Sequence, residues 1–180
     1  MINYVALLRG INVSGQKLIK MDHLKSVFEQ LGYHRVRTYI QSGNVLFDSS
    51  DNDSVKVARQ IEAKIEEEYS FPVTVVLRTI RELEEVVRNN PYPLEEMQKT
   101  DSLYVSFLSE RPAEEAIAQC MALKNEADEL VITDTEAYIL IHKSYGTSKF
   151  SNNFLEKKLK VAATTRNWAT VNKLIGMGQV

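Results

Sequence analysis

Tyr4 to Leu8 is an unbroken run of five apolar or aromatic residues, and Arg9, Gly10, Asn12 and Gly15 follow it at once. A run of that length suits a strand buried on both faces better than a helix, which needs more residues and a polar stripe. The loop behind it is cationic and flexible, and it stands where a central strand would end. Loops at such places carry binding and catalytic side chains on a rigid scaffold. The fold must therefore hide both faces of one strand and present a basic loop at its end.

The rest of the first half fits around that strand. Met21, Leu24, Val27, Phe28 and Leu31 make a helical apolar stripe that Gly32 ends. Arg35–Ile40 alternates, with Val36, Thr38 and Ile40 on one side and Arg35, Arg37 and Tyr39 on the other. Gln41-Ser42-Gly43 turns the chain, and Asn44–Phe47 returns, which predicts a hairpin. Val57, Ile61 and Ile65 mark a second helix, and Val73–Arg78 reads as a fourth strand. The order β-α-β-β-α-β is that of the ferredoxin-like plait. Thr79 and Glu82 then make a capping-box pair for a third helix, and Pro91 and Pro93 break the chain.

A weaker echo follows. Leu103–Leu108 repeats the pattern of Tyr4–Leu8, a helix carries Ile117, Cys120 and Met121 inward, and Leu130–Thr133 with Ala137–His142 predicts a second hairpin. Phe154, Leu155 and Leu159 mark a further helix, Val161–Thr165 a short strand, and Asn167–Ile175 a last helix. The expected fold is α+β, two duplicated ferredoxin-like plaits with a linker helix and a C-terminal helix. The expected boundaries are 1–79 for the first repeat, 80–100 for the linker helix and Pro-containing crossover, and 101–180 for the second repeat. One sheet face of a plait carries its helices, so the apolar far face needs a cover, either the second repeat or a partner chain.

With 44% hydrophobic and 26% charged residues the chain of 180 is globular rather than disordered. A single cysteine rules out an internal disulfide framework and suits a reducing cytoplasm. Neither a basic-then-apolar leader nor a membrane-length apolar run is visible, so the expectation is a soluble cytoplasmic protein without membrane partners. The net charge of −2 is unevenly spread. Residues 1–47 carry +4, residues 142–180 carry +6, and the middle carries −12. If the chain ends meet, the molecule is bipolar, although charge runs are as often only solvated faces.

Three stretches, Y-V-A-L-L-R-G-I-N-V, Y-I-Q-S-G-N-V-L-F and A-T-T-R-N-W-x-T-V-x-K-L, resemble a family of small bacterial proteins classed only as a domain of unknown function. The resemblance spans nearly the whole chain. It implies a cytoplasmic protein with a duplicated ferredoxin-like fold, and no activity. The motif positions are Arg9, Gly10, Asn12, Gln41, Ser42, Gly43, Asn44, Ser148, Lys149, Thr165, Arg166, Asn167, Trp168 and Lys173, with roles unassigned. Ser14 stands where the family pattern usually has Gly, which stiffens the loop.

The candidate chemistry is sparse. Gly10–Lys17 has the look of a phosphate-binding P-loop, but its lysine comes one residue late and Leu18 replaces the metal-binding Ser or Thr. Backbone N–H groups with Arg9 and Lys17 can still hold an anion, against the plainer reading of a structural turn. His23, His34 and His142 form no metal-ligand spacing, and no metal or cofactor is expected. Cys120 sits on an apolar stripe and reads as core. In a plait, strand 3 runs antiparallel beside strand 1, so Arg9-Gly10-Asn12 and Ser42-Gly43-Asn44 should be neighbours. Thr164–Trp168 opens a helix with capping residues, a guanidinium and an indole. Trp168 either stacks on a base or fills the seam between repeats.

The expected site is a basic face built from Arg9, Gly10, Asn12, Lys17, Ser42, Gly43, Asn44, Lys149, Arg166, Asn167 and Lys173. Its expected partner is an anionic small molecule, phosphate- or carboxylate-bearing, or a nucleic acid. The rivals are an enzyme acting on a small anion, for which no base or nucleophile stands out, and a structural or protein-interaction module.

Overall fold

The structure, a computed structural model, describes residues 1–143 and 148–180. It is a mixed α+β fold with two four-stranded antiparallel sheets. The chain divides into two compact units, residues 1–84 with 174–180, and residues 85–173.

The first unit contains β1 (Ile2–Leu8), α1 (Met21–Gln30), β2 (His34–Tyr39), β3 (Asn44–Ser49), α2 (Ser54–Tyr69) and β4 (Val75–Thr79). Its sheet order is β2-β3-β1-β4, so the apolar run is central, as its two-sided hydrophobicity requires. Tyr4, Ala6 and Leu8 point into one core with Leu24, Val27 and Phe28 of α1 and Val57, Ile61 and Ile65 of α2. Phe47 anchors that core, its ring 5.2 Å from Phe28 and 4.6 Å from Tyr33. Each such side chain, fully buried, is worth about 1.5–3 kcal/mol. Val5, Leu7, Leu46 and Val76, on the opposite face, are buried as well.

The fourth strand runs Val75–Thr79 rather than Val73–Arg78, and two further differences from the sequence reading fall on β2. Ile40 is outside β2: it stands at φ +50° in the turn and is exposed, so the alternation that assigned it to the strand ends at Tyr39. Arg35 also has positive φ, and the β2–β3 register shifts between His34 and Arg37, a bulge that alternation alone does not reveal. It aims the Arg35 guanidinium at the nearly buried carboxylate of Asp48.

A third helix, α3 (Ile80–Arg88), is started by the capping box: Thr79 Oγ1 accepts from Glu82 N, and the Glu82 carboxylate accepts from Thr79 N. The chain's last residues fasten onto this unit. Asn3 Nδ2 donates to the Gly178 carbonyl at 2.9 Å, and Gln179 donates to Glu84. Gly178 lies so close to Ile80 that a Cβ there would meet the Ile80 side chain at 2.3 Å.

In the second unit a 3-10 turn (Leu94–Glu96) precedes β5 (Ser102–Leu108), α4 (Glu114–Met121), β6 (Asp128–Thr133), β7 (Glu136–Ile141), α5 (Asn152–Leu159), β8 (Ala163–Asn167) and the first part, residues 168–173, of α6 (Trp168–Gly178). The sheet order is β6-β7-β5-β8. Leu108, Cys120, Ile139, Ile141, Phe150 and Leu155 share its core. On the far face Leu103, Val105, Phe107 and Tyr138 are buried, and the Tyr138 hydroxyl donates to the Val86 carbonyl at 2.7 Å.

Candidate functional site

The loop from β1 to α1 is folded back against the β2–β3 hairpin by Asn12. Its Oδ1 accepts from Ile19 N at 2.8 Å, and its Nδ2 donates to the carbonyls of Ile19 at 3.0 Å and Gln41 at 2.9 Å. Asn12 itself stands at φ +54°, a conformation asparagine tolerates. Asn12 N donates to the Lys17 carbonyl, closing the small loop 13–16, and Lys17 Nζ donates to the Pro72 carbonyl at 2.8 Å. Ser14 is also left-handed, at φ +52°, which is the physical reason a glycine serves well there.

The hairpin tip is held as tightly. Buried Asn44 donates to the Tyr39 carbonyl at 2.9 Å and to Ser42 Oγ at 3.1 Å. Gly43 at φ +86° presses on the first loop: a Cβ would lie 2.9 Å from Leu8 Cβ and 2.6 Å from Ile11 Cδ1. Leu8 N donates to the Gly43 carbonyl and Arg9 N to the Thr74 carbonyl. Arg9, Gly10, Asn12, Ser42, Gly43 and Asn44 are thus gathered at one end of the first sheet. Asn12 and Asn44 use their amides on the loop and hairpin themselves, on the Ile19, Gln41 and Tyr39 carbonyls and the Ser42 hydroxyl.

Beside this clamp lies an open depression of about 790 Å³ lined by Asn12, Leu18–His23 and Gln41. The N-terminus of α1 faces it. Its N-cap residue, Lys20, makes no side-chain capping hydrogen bond, whereas Asp53 caps α2, Ser151 caps α5 and Asn167 caps α6. The helix α4 is likewise without a side-chain cap. The uncapped N–H groups carry partial positive charge, and Lys20 and His23 stand beside them with the Asp22 carboxylate, while Glu68 Oε2 lies 3.8 Å from His23 Nε2. His23 Nδ1 is 2.8 Å from the Tyr69 hydroxyl, which orients the ring. Leu18, 66% exposed, forms an apolar rim.

The remaining expected residues belong to the second unit. Lys149 is exposed, its Nζ 5.5 Å from the Phe150 ring centre. Lys173 is exposed on α6, and Asn167 Oδ1 accepts from Thr170 N as the α6 cap. Trp168 is half-buried. Arg166 is only 6% exposed: its Nη1 donates to Thr164 Oγ1 at 2.8 Å and to the Thr165 carbonyl at 3.0 Å, and burial pushes its pKa down to about 10. Arg78 occupies the same position in the first sheet. It pairs with Val5 as Arg166 pairs with Val105, it is buried, and its Nη1 donates to the preceding carbonyl of Leu77.

Sequence spacing missed one cluster. His142 Nδ1 is 2.8 Å from Asp101 Oδ1, and its Nε2 is 2.8 Å from Glu129 Oε2. The hydrogen bonds to Asp101 and then Glu129 raise the histidine's pKa, and Asp101 is lowered first by the Gln98 N–H and then by His142. The three residues stand 13 and 41 apart in sequence. Only the strand register, which pairs Ile141 with Ser102 and Leu140 with Glu129, brings them side by side on neighbouring rungs. Among the described residues no group of His, Cys, Asp and Glu has metal-binding geometry, and no helix is long and apolar enough to cross a membrane.

Among curated proteins none matches the chain. One solved structure, titled "The structure of conserved bacterial protein SP0830 from Streptococcus pneumoniae", is similar over 98% of both chains, with a TM-score of 0.73 and 22% identity. That likeness is one of fold. The family described as "Protein of unknown function (DUF1697)" matches residues 1–138. On that match, which takes in the Asn12 clamp, the hairpin tip and the second hairpin as far as residue 138, the chain belongs to this family.

Proposed function

We propose that the first unit binds a small anionic molecule, a phosphate ester or carboxylate, in the depression at the foot of α1. The observation that carries this reading is the uncapped α1 N-terminus opening onto that depression beside Lys20 and His23. Helix N-termini without a capping side chain leave N–H donors for an anion, and the helix dipole favours negative charge there. Leu18 and Met21 offer apolar contact for the organic part of the ligand. Asn12, Gly43 and Asn44 act by holding the loop and hairpin in place, and Lys17 by tying the loop to Pro72. Arg166, at 6% exposure, serves the interior of its own unit rather than a ligand at the surface.

A thermal-shift screen of phosphate esters and carboxylates tests the reading, because a ligand bound only by the folded state raises the melting temperature. Lys20→Glu should remove the shift while leaving the unliganded melting temperature nearly unchanged. No shift with any anion, or an equal shift in Lys20→Glu, contradicts it. Steep salt-dependent retention on nucleic acid with no small-molecule response would move the reading to a nucleic-acid partner.

A second reading, protein docking, draws on Val13, Leu18 and Ile40, three large exposed apolar side chains around the same clamp. Ile40 is a β-branched residue at φ +50°, strain of a kind that collects at working surfaces.

We also read the two sheets as an internal duplication of a ferredoxin-like plait. Element order and strand order repeat. The pair Leu8 N to Gly43 O and Arg9 N to Thr74 O recurs as Leu108 N to Thr135 O and Ser109 N to Ala162 O. The equivalent buried arginines, Arg78 and Arg166, support the same origin. The single, buried cysteine favours a cytoplasmic location.

A further inference from the structure

The second unit has a pocket of its own, about 270 Å³, lined by Tyr92, Pro93, Glu96, Met97, Asp101, Glu129, Leu140 and His142. It lies on the face of the sheet opposite the helices, because Leu140 alternates with Ile139 and Ile141 of the helix-side core. The segment that closes it is pinned at both ends. Asn90 and Tyr92 exchange side-chain and backbone hydrogen bonds at 2.8 and 3.1 Å, and Asp101 Oδ2 accepts from Gln98 N at 2.8 Å.

Two features of this pocket have no use within the fold. The Tyr92 hydroxyl is shielded from solvent and has no hydrogen-bond partner among the described residues. A buried hydroxyl without a partner is a rarity that asks for an explanation, such as a missing ligand. The second is charge. Three carboxylates, Glu96, Asp101 and Glu129, line the pocket with one imidazole. With both ring nitrogens against carboxylates, His142 is held as the imidazolium. The pocket then retains an excess of two negative charges.

The two carboxylates that hold His142 are not equivalent. The Asp101 side chain is 5% exposed and has a second donor in Gln98 N, so it is fixed. The Glu129 side chain is 41% exposed and can turn to another cation.

We propose that this pocket binds a small organic cation, an alkylammonium or guanidinium compound, with Glu129 and Glu96 as counter-charges and the Tyr92 hydroxyl as a hydrogen-bond acceptor. Pro93, Met97 and Leu140 supply the apolar wall for its alkyl part. His142 is the competitor for Glu129. Below its pKa the imidazolium holds Glu129; above it, the neutral ring releases the carboxylate's charge to the ligand. The groups around His142 are Asp101 just before β5, Glu129 on β6, and Glu96 and Tyr92 from the closing segment. Binding therefore tightens as pH rises.

The probes are 1,4-diaminobutane and methylguanidinium, titrated calorimetrically into the full chain at pH 5.5 and 8.5, with sodium chloride at matched ionic strength as the blank. The expected result is saturable one-to-one binding, about tenfold tighter at pH 8.5. Glu129→Gln should weaken it about tenfold at pH 8.5, Tyr92→Phe should weaken it severalfold, and His142→Gln should abolish the pH dependence. Glu95→Gln, next to the pocket but not lining it, should bind like the wild type. His142 ring resonances report occupancy directly in the unmodified protein, so the test does not depend on any variant folding. No saturable binding at either pH, ring shifts reproduced by sodium chloride, or equal losses in Glu95→Gln and Glu129→Gln would overturn the proposal.

Discussion

The Asn12 side-chain amide donates to the Gln41 carbonyl at 2.9 Å, a contact that spans 29 residues and locks the β1–α1 loop onto the β2–β3 hairpin. With the Ile19 N–H and carbonyl, Asn12 has three backbone partners. Asn12→Ala should lower stability to urea by about 2–3 kcal/mol, at roughly 1 kcal/mol for each lost bond. Asn12→Asp keeps only the bond from Ile19 N, so it should be nearly as damaging. A loss below about 0.5 kcal/mol in both would mean the clamp is decorative.

Gly43 faces Leu8 and Ile11 at distances no Cβ accepts, and its φ of +86° strains any other residue. Gly43→Ala should cost about 2–4 kcal/mol through combined backbone strain and overpacking. Equilibrium unfolding measures it, and an unchanged midpoint would contradict the packing described.

Cys120 is fully buried, and desolvation raises its thiol pKa despite the opposing pull of Lys158 and Lys149. Reaction with a thiol reagent at neutral pH should be slow in the native protein and fast in denaturant. Rapid stoichiometric labelling without unfolding would contradict this.

His142 titrates above the ordinary histidine value of 6.5 because Asp101, then Glu129, hydrogen-bond its ring. A folded-state pKa above the unfolded value means that these ion pairs stabilise the fold fully below about pH 6.5, and that the contribution is lost as pH rises through the raised pKa. An NMR titration of the ring should show the raised value, and Glu129→Gln should bring it down. A midpoint at or below 6.5 in the wild type would contradict the geometry.

The order of elements was legible because each strand and helix carries its own local period. The central run Tyr4–Leu8, the helical stripes of α1 and α2 and both hairpins follow from it. The nearness of Arg9-Gly10-Asn12 to Ser42-Gly43-Asn44 was legible from topology alone, since β3 runs antiparallel to β1 and pairs Asn44 with Leu7. Two things were not. The bulge at Arg35 and the left-handed Ile40 oppose the preferences of their residue types, so tertiary packing decides them. The Asp101–His142–Glu129 cluster depends on the register of three strands, which no sequence spacing encodes.

The claim that the foot of α1 binds a small anion is tested most directly by the backbone amide resonances of Met21, Asp22 and His23 during titration with inorganic phosphate. The predicted result is a saturable shift confined to these amides and their neighbours Asn12 and Gln41, lost in Lys20→Glu. Shifts that are linear, spread over the surface, or the same with chloride at equal ionic strength would contradict it.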